Sequence, residues 1–266
     1  MKNLIISIVQ SPLHWENPTK NHEHFTELLS DISTTDLIVL PEMFTTGFSM
    51  NTALAESMHG ETLNWLTAIS KQKKCVVTGS FIVKEENSFY NRLVWMRPDG
   101  SYEYYDKRHL FRFAQEDKYY AAGEKKLIVE LKGWKICPLI CFDLRFPVWS
   151  RNICSDKNNH TTSMDYDCLL YIANWPKARR QAWCNLLEAR AHENQCYVIG
   201  VNRIGKDGKG IEYSGDSAVY DAKGNKISST KSDETSVETV ELGFVDLQDF
   251  RKKFPVALDA DHFSID

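Results

Sequence analysis

Short apolar runs separated by polar segments dominate the chain and predict alternating strands and helices. Leu4–Gln10 and Leu37–Leu40 are β-rich apolar runs, and the segment Asn21–Ile32 between them has a helical pattern. A strand, a helix and a strand in this order predict a β-α-β unit. Further strands are predicted at Cys75–Val83, Arg92–Arg97, Tyr102–Asp106, Leu127–Leu131, Lys135–Cys141, Cys168–Ala173, Tyr197–Asn202, Ser217–Asp221 and Val237–Val240.

The remaining periodic segments predict helices at Glu61–Lys71, Pro147–Ile153 and Ala178–Gln195, and the charged stretch Asp246–Lys253 favours a short one. Within the third, Trp183, Leu187, Ala191 and Asn194 fall on one stripe, which predicts packing against a sheet. The aromatic loop between Lys107 and Glu124 is long enough to carry function. The hydrophilic insert from Cys154 to Met164 predicts a surface excursion. Because no linker or repeat divides the chain, we expect one α/β domain over residues 1–266.

Composition narrows the class of partner. The chain has 266 residues and a net charge of −4, with a pI near 6.1, so it has no basic field that would hold nucleic acid or an anionic membrane. We therefore expect a small-molecule partner. Seven cysteines without an export signal or a transmembrane-length apolar run indicate a reducing, cytoplasmic compartment.

Three buried runs end at chemically capable residues. LIVLPE ends at Glu42, KICPLICFD contains Cys141, and LLYIANWP ends at Asn174 and Trp175. Sites in α/β sheets are built at the carboxyl ends of strands, because loops there vary while the strands stay rigid. These strand ends are therefore expected to converge.

Cys141 is the candidate nucleophile, although a buried structural thiol is the alternative for any single cysteine. It lies where a strand gives way to a turn and a helix start, so that backbone N–H groups would face the sulfur. Such groups and nearby cations would lower the thiol pKa and make thiolate available. Glu42 and Lys107 are weaker candidates, because a strand-end carboxylate and a loop cation are commonly solvent-exposed.

Other chemistries are less consistent with the sequence. His109 and His192 are possible bases for a Cys–His protease or thioesterase, but neither lies in a Cys–His signature. Cys137 and Cys141 lack a second cysteine pair, no His-Glu-x-x-His occurs, and no glycine-rich nucleotide loop is present. We therefore expect neither a metal nor a cofactor.

The sequence resembles the nitrilase superfamily of carbon–nitrogen hydrolases. Four motifs in order carry the resemblance and cover nearly the whole chain: LIVLPEMFTTGF, YYDKRHLF, CPLICFDLRFP and the run from IANWP to the ARAHEN segment. The resemblance implies a single-domain α-β-β-α sandwich, no cofactor, and a homodimer or larger homo-oligomer. The C-terminal tail, about residues 240–266, would be a candidate for the subunit interface.

The resemblance also assigns roles to matching residues. It implies Cys141 as nucleophile, Glu42 as general base and Lys107 as the cation near the oxyanion, with the Phe142 backbone N–H as second oxyanion donor. A second glutamate in the loop after the lysine is typical of the family, and Glu116 is the candidate here. Many relatives carry tyrosine or tryptophan at the position of Phe142, but only its backbone N–H is required.

Within the superfamily, PEMFTTGFSM, KRHLF and YYAAGE look most like the bacterial omega-amidase group. The implied substrates are 2-oxoglutaramate or 2-oxosuccinamate, with an N-carbamoyl-amine hydrolase or a catalytically silent interaction domain as alternatives. A keto-acid amide needs a cation for its far carboxylate. The candidates are Arg112, Arg145, Lys177, Arg179 and Arg180, with a structural ion pair expected for Arg145. Phe44 and Trp175 are candidates for the pocket lining, although a core position is equally compatible.

Overall fold

The computed structural model describes residues 2–154, 164–261 and 263–265. Its strands are β1 (Leu4–Gln10), β2 (Leu37–Val39), β3 (Val76–Glu85), β4 (Ser88–Met96), β5 (Tyr102–Asp106), β6 (Val129–Leu131), β7 (Trp134–Ile140), β8 (Cys168–Ala173), β9 (Tyr197–Asn202), β10 (Ile204–Lys206), β11 (Glu212–Ser214), β12 (Ala218–Tyr220) and β13 (Ser236–Leu242). The α-helices are α1 (Pro18–Leu28), α2 (Glu61–Lys73), α3 (Pro147–Ser150), α4 (Arg180–Asn194) and α5 (Phe244–Lys253).

The strands form two large sheets and one hairpin. The first sheet has the order β13-β1-β2-β3-β4-β5, and the second has the order β12-β9-β8-β7-β6. Strands β1, β2 and β3 are parallel to one another, as are β7, β8 and β9. The pair β10–β11 is a separate antiparallel hairpin. Two parallel cores flanked by antiparallel edges thus bring several strand ends to one side of the molecule.

The alternation of side chains between the two faces of each strand explains how the sheets and helices are layered. In β2, Leu37 and Val39 lie in the core shared with the second sheet, whereas Ile38 packs in the cluster that contains Phe25 of α1 and Leu66 of α2. Successive side chains of a strand point to opposite faces, so this sheet is covered on both sides. On the second sheet, α4 contacts β9 and β12. The layers are therefore helix, sheet, sheet and helix, as the family resemblance implies.

Local chemistry sets the helix boundaries. Helix α1 begins three residues before the predicted start, because the Asn17 side chain accepts a hydrogen bond from the Lys20 N–H and Pro18 occupies the first turn. The predicted helix near Ala178 begins as a 3₁₀ turn, Lys177–Arg179, before α4. The β10–β11 hairpin was not predicted from the sequence.

Two further predictions from the sequence concern the hydrophilic insert and the lack of a transmembrane-length apolar run. The predicted insert falls on residues 155–163, which lie outside the described residues, while Cys154 and Met164 at its ends form an antiparallel bridge. In the described ranges, no helix combines the length and apolarity needed to cross a membrane.

Candidate active site

The turn after β7 places Cys141 in an unusual backbone conformation. Ile140 ends the strand with extended dihedrals, and a 3₁₀ turn, Cys141–Arg145, follows immediately. Cys141 has a φ of +45°, a left-handed conformation that non-glycine residues avoid. This sharp corner puts the thiol at the end of the sheet, and the first N–H groups of the turn lack acceptors within the turn. Strain of this kind is held only where the surroundings fix it.

Glu42 follows β2 and is completely buried. Its Oε1 accepts hydrogen bonds from Asn91 Nδ2 and Lys107 Nζ, both at 2.8 Å. Its Oε2 accepts the backbone N–H of Asn174 at 2.7 Å, at the end of β8. The carboxylate therefore joins the strand ends of both sheets, and burial without such partners would be costly.

Lys107 follows β5, and its side chain is fully inaccessible to solvent. Nζ lies 2.8 Å from Glu42 Oε1 and 3.0 Å from both carboxylate oxygens of Glu116. It also lies 5.1 Å from the centre of the Phe48 ring. The Phe111 N–H donates to Glu116 Oε2 and fixes this second carboxylate. The structure thus brings together four residues predicted from sequence motifs: Glu42, Lys107, Glu116 and Cys141.

The electrostatics of this cluster differ from the sequence expectation in one respect. Burial raises the pKa of the Cys141 thiol well above its ordinary value, and the Glu42 carboxylate raises it further, whereas Lys107 opposes both effects. The expectation of a lowered thiol pKa is therefore wrong for the resting site, because burial and Glu42 outweigh the cation. A resting thiol requires a base to remove its proton.

The pKa values of Lys107 and Glu116 are also shifted, and each group influences the other. Burial alone would lower the pKa of Lys107, but the carboxylates of Glu116 and Glu42 raise it above its ordinary value. Burial raises the pKa of Glu116, and Lys107 partly offsets this effect. The cation therefore remains protonated while two buried carboxyl groups compete for it.

A cavity of about 590 Å³ opens onto the cluster and is lined by Lys107, Cys141 and Phe142. Its walls include Trp175, as predicted, and Tyr213 of the β10–β11 hairpin. Two guanidinium groups, those of Arg145 and Arg179, also line it. This volume is typical of a small-molecule site.

The cations near the motifs divide into two groups. Arg112, Lys177 and Arg180 form ion pairs with Asp117, Asp233 and Asp216, respectively. Arg145 and Arg179 have no carboxylate partner among the described residues and instead stack on aromatic rings. The guanidinium of Arg145 lies 5.0 Å from the Trp175 ring centre. The structural ion pair expected for Arg145 is therefore absent from the described part of the chain.

The structure places three predicted substrate contacts away from the cavity lining. Phe44 is completely buried and packs against Phe25 in the core between the first sheet and its helices. Arg112 is a solvent-exposed cation paired with Asp117, and it lines a separate pocket. Lys177 pairs with Asp233 and does not line the cavity. All three side chains are occupied by local packing or ion pairs, which the sequence pattern did not reveal.

The histidines considered as alternative bases have other partners. His109 Nδ1 lies 2.7 Å from Asp143 Oδ1, and its ring stacks on Phe146. His192 is half-exposed on α4 and lies near Glu188. Where the structure describes the chain, no group of three metal-ligating side chains is positioned to hold a metal ion.

Sequence reasoning missed several neighbours of the cluster. Asn91 of β4 donates to Glu42, and Asp143 accepts hydrogen bonds around the turn that begins at Cys141. The sequence pattern indicates Asn174 only as a strand end, but its backbone N–H donates to Glu42 and the residue lines the cavity. The two-residue spacing of Asp143 from Cys141 was the available signal for one of them.

Comparison with known proteins agrees with this geometry. A family model described as carbon–nitrogen hydrolase matches residues 5–252. The chain is 43% identical over its whole length, and that of the relative, to a protein named omega-amidase YafV from Escherichia coli K12. It is 32% identical to a 2-oxoglutaramate amidase from Bacillus subtilis, with 94% of this chain and 95% of that one covered.

A solved structure extends the likeness to three dimensions. XC1258 from Xanthomonas campestris, a CN-hydrolase superfamily protein with an arsenic adduct in its active site, superposes with a TM-score of 0.96 at 42% identity. Both chains are covered completely. Sequence and fold therefore agree, and the chain belongs to the carbon–nitrogen hydrolase family of amidases.

Proposed function

We propose that this enzyme hydrolyses the terminal amide of a small 2-oxo acid such as 2-oxoglutaramate or 2-oxosuccinamate, releasing ammonia. The observation that carries the proposal is the cavity itself. A buried thiol and a carboxylate–ammonium cluster lie at its base, and two guanidinium groups without carboxylate partners among the described residues lie in its walls. The names of the relatives from E. coli and B. subtilis support the same substrate class.

Acylation begins with proton transfer from the Cys141 thiol to the Glu42 carboxylate. The sulfur attacks the amide carbon, and its carbonyl oxygen takes up negative charge. The Lys107 ammonium and the Phe142 N–H stabilise that oxygen. The C–N bond then breaks as Glu42 returns the proton to nitrogen, so that ammonia leaves and a thioester remains.

Deacylation uses the same groups. Glu42 removes a proton from water, whose oxygen attacks the thioester carbon, and the C–S bond breaks. The proton held by Glu42 returns to sulfur, which regenerates the resting thiol and the free acid. Glu116 keeps the Lys107 ammonium in place through two contacts of 3.0 Å. No cofactor is needed in this cycle, because every proton moves through Glu42.

The arginines in the wall of the cavity account for the proposed choice of substrate. Arginine suits a carboxylate because its guanidinium forms bidentate hydrogen bonds and stays ionised. Arg145 follows the nucleophile turn, and Arg179 ends the 3₁₀ turn before α4. We infer that one or both bind the carboxylate of the substrate, while the aromatic ring of Trp175 holds Arg145 in place.

A substrate panel tests the proposal. Ammonia and keto acid are measured from 2-oxoglutaramate and 2-oxosuccinamate, with butyramide as the neutral amide and an N-carbamoyl amino acid alongside. The omega-amido keto acids should be the best substrates. Preferential turnover of the carbamoyl compound with release of carbon dioxide, or no ammonia from any substrate, would overturn the proposal.

Two arginine variants refine this test. Arg145→Met and Arg179→Met should raise KM for 2-oxoglutaramate about 10- to 100-fold, the usual worth of a hydrogen-bonded charge. KM for butyramide should stay unchanged. Arg112→Met is the matched control, because this exposed arginine lies outside the cavity. Equal loss with both substrates would argue against a carboxylate-binding role.

Assembly and location stay predictions. We propose a homodimer or larger homo-oligomer that uses the C-terminal tail, about residues 240–266. Exposed apolar side chains there, including Val245 and Phe254, support this proposal. Light scattering on the purified enzyme, with Phe254→Ser as the variant, would test it. We also propose a cytoplasmic location, which the seven cysteines of the sequence support.

A further inference from the structure

We propose that Asp143 is a positioning residue that holds the turn carrying Cys141 in register with the segment carrying Lys107. The proposal rests on the proposed function, because it matters only if these two residues act on one substrate. Asp143 is completely buried and lies outside the cavity lining. It has no contact with the reacting atoms and acts through its neighbours.

The carboxylate of Asp143 accepts four hydrogen bonds. Oδ2 accepts the Tyr105 hydroxyl at 2.8 Å and the Ile140 backbone N–H at 3.0 Å. Oδ1 accepts the backbone N–H of His109 at 3.0 Å and faces its Nδ1 at 2.7 Å. An ionised carboxylate has about four lone-pair sites. The hydrogen-bonding capacity of Asp143 is therefore filled by structural partners.

The positions of these partners in the sequence show which segments Asp143 connects. Tyr105 and His109 lie two residues before and two residues after Lys107, and Asp143 lies two residues after Cys141. Lys107 follows a strand of the first sheet, whereas Cys141 follows a strand of the second. One buried carboxylate thus ties both flanks of the lysine to the corner that presents the sulfur.

Neighbouring aromatic groups reinforce the link. The His109 ring stacks on Phe146 with centroids 3.7 Å apart and planes within 6°. Trp149 Nε1–H donates to the Tyr105 hydroxyl oxygen at 3.1 Å. Both partners, Phe146 and Trp149, come from the segment just after the nucleophile turn. The two segments are therefore held by stacking as well as by hydrogen bonds.

The hydrogen bonds of Lys107 do not provide this link. Within the described chain its ammonium donates to Glu42 and Glu116 and makes no hydrogen bond to Cys141. Groups that act on one substrate need to be held within about 0.5 Å of their productive geometry. A displacement of about 1 Å can cost about 100-fold in rate. Asp143 is placed to prevent such a displacement.

The test is Asp143→Asn, assayed with 2-oxoglutaramate. The amide keeps the shape of the side chain but turns one acceptor atom into a donor that faces two existing donors. We expect kcat to fall about 10- to 100-fold and KM to change less than about threefold. A purely structural role would lower the melting temperature and leave kcat per folded molecule unchanged, and that result would overturn the proposal.

Tyr105→Phe is the second variant if Asp143→Asn fails to fold. It removes one of the four hydrogen bonds and should lower kcat about 3- to 10-fold by the same misalignment. Tyr104→Phe is the matched control, because Tyr104 is exposed on the same strand. Equal kcat values for Tyr105→Phe and Tyr104→Phe would overturn the proposal.

Alkylation separates failure of this inference from failure of the proposed function. Wild-type enzyme is treated with iodoacetamide at neutral pH, and the modified cysteine is located by peptide mapping. Selective labelling of Cys141 with loss of activity supports the nucleophile assignment independently of Asp143. Labelling of other cysteines with retained activity would overturn the proposed function and, with it, the role of Asp143.

Discussion

Glu42 and Glu116 share one ammonium group but have different second partners. Glu42 is the carboxylate that raises the pKa of the Cys141 thiol more, and it accepts the Asn174 N–H, whereas Glu116 accepts the Phe111 N–H from its own loop. Of these two carboxylates, Glu42 is therefore the one that we propose as the base for the sulfur. Glu116 is placed to hold the lysine and to balance its charge.

Substitutions in the cluster should separate these roles from general stability. Cys141→Ala should abolish turnover, and Glu42→Gln should lower kcat about 10²- to 10⁴-fold because the base is lost. Lys107→Ala should lower it about 10²- to 10³-fold because one oxyanion donor is lost. Cys184→Ala, a half-buried thiol on α4, serves as the control in the ammonia assay. Full activity of Cys141→Ala would contradict the mechanism.

The raised thiol pKa of Cys141 predicts how alkylation responds to pH. Because burial and Glu42 raise that pKa above its ordinary value of 9.0, the thiol form dominates at neutral pH and the thiolate fraction grows as pH rises. Inactivation by iodoacetamide should therefore accelerate continuously from pH 7 to pH 9. A plateau reached below pH 8 would show that the sulfur is already ionised in the resting enzyme.

At the scale of elements, the contact between α4 and β9 depends on a missing side chain. Gly200 lies within β9, and a Cβ atom there would come within 2.4 Å of Leu187 Cδ1 and 3.0 Å of Trp183 on the helix. Both neighbours are completely buried. Glycine therefore allows the helix to approach the second sheet, whose strand ends present the site.

Gly200→Ala should lower the free energy of unfolding by about 1–3 kcal/mol, because overpacking forces neighbours out of their rotamers. Urea denaturation checks the value. The loss of unfolding free energy caused by Gly200→Ala should be smaller when Leu187→Ala is already present. Leu187→Ala removes the side-chain atoms that lie nearest to the added Cβ. Additive losses in the double variant would show that the helix yields elsewhere.

Strand patterns were the most predictable part of the fold. The bounds of β5, β8 and β9 agree with the sequence prediction residue for residue, because each is a distinct run bounded by polar residues or turns. The β10–β11 hairpin was missed because its strands have three residues each and one of them reads as polar loop. That hairpin forms a wall of the cavity, so the sequence left part of the pocket undescribed.

The members of the buried cluster were predictable from motifs, but the arginines of the cavity wall were not. Motif resemblance led to Glu42, Lys107, Glu116 and Cys141, which the structure brings together. Whether each cation forms an ion pair depends on residues distant in sequence: Lys177 pairs with Asp233, and Arg180 pairs with Asp216. Such pairs are set by tertiary packing, which periodicity does not encode, so the choice of Arg145 and Arg179 required the structure.

At the scale of the whole molecule, the second sheet buries several thiols in the core between the layers. Cys137 and Cys196 are completely buried. Burial raises the pKa of each thiol from 9.0 to about 12. These groups stay protonated in the folded state at pH values where the unfolded chain would lose the protons.

The enzyme should therefore lose stability in alkaline solution. Below pH 9 both states hold the thiol protons and no stability is lost through them. Between pH 9 and pH 12 only the unfolded state releases them, so each thiol lowers the free energy of unfolding by roughly 1.4 kcal/mol per pH unit. Urea titrations at pH 8 and pH 10 measure the slope, and Cys137→Ala should reduce it. An unchanged slope would show that other groups control alkaline unfolding.

The left-handed backbone at Cys141 has a consequence for how this enzyme could be made more robust. A cysteine held at a φ of +45° costs of order 1–2 kcal/mol that a glycine would not incur. Cys141→Gly should therefore melt at a temperature no lower than the wild type while hydrolysing nothing. A selection for thermal stability alone would therefore favour inactive variants with glycine at position 141. Libraries screened for stability need a screen for activity as well.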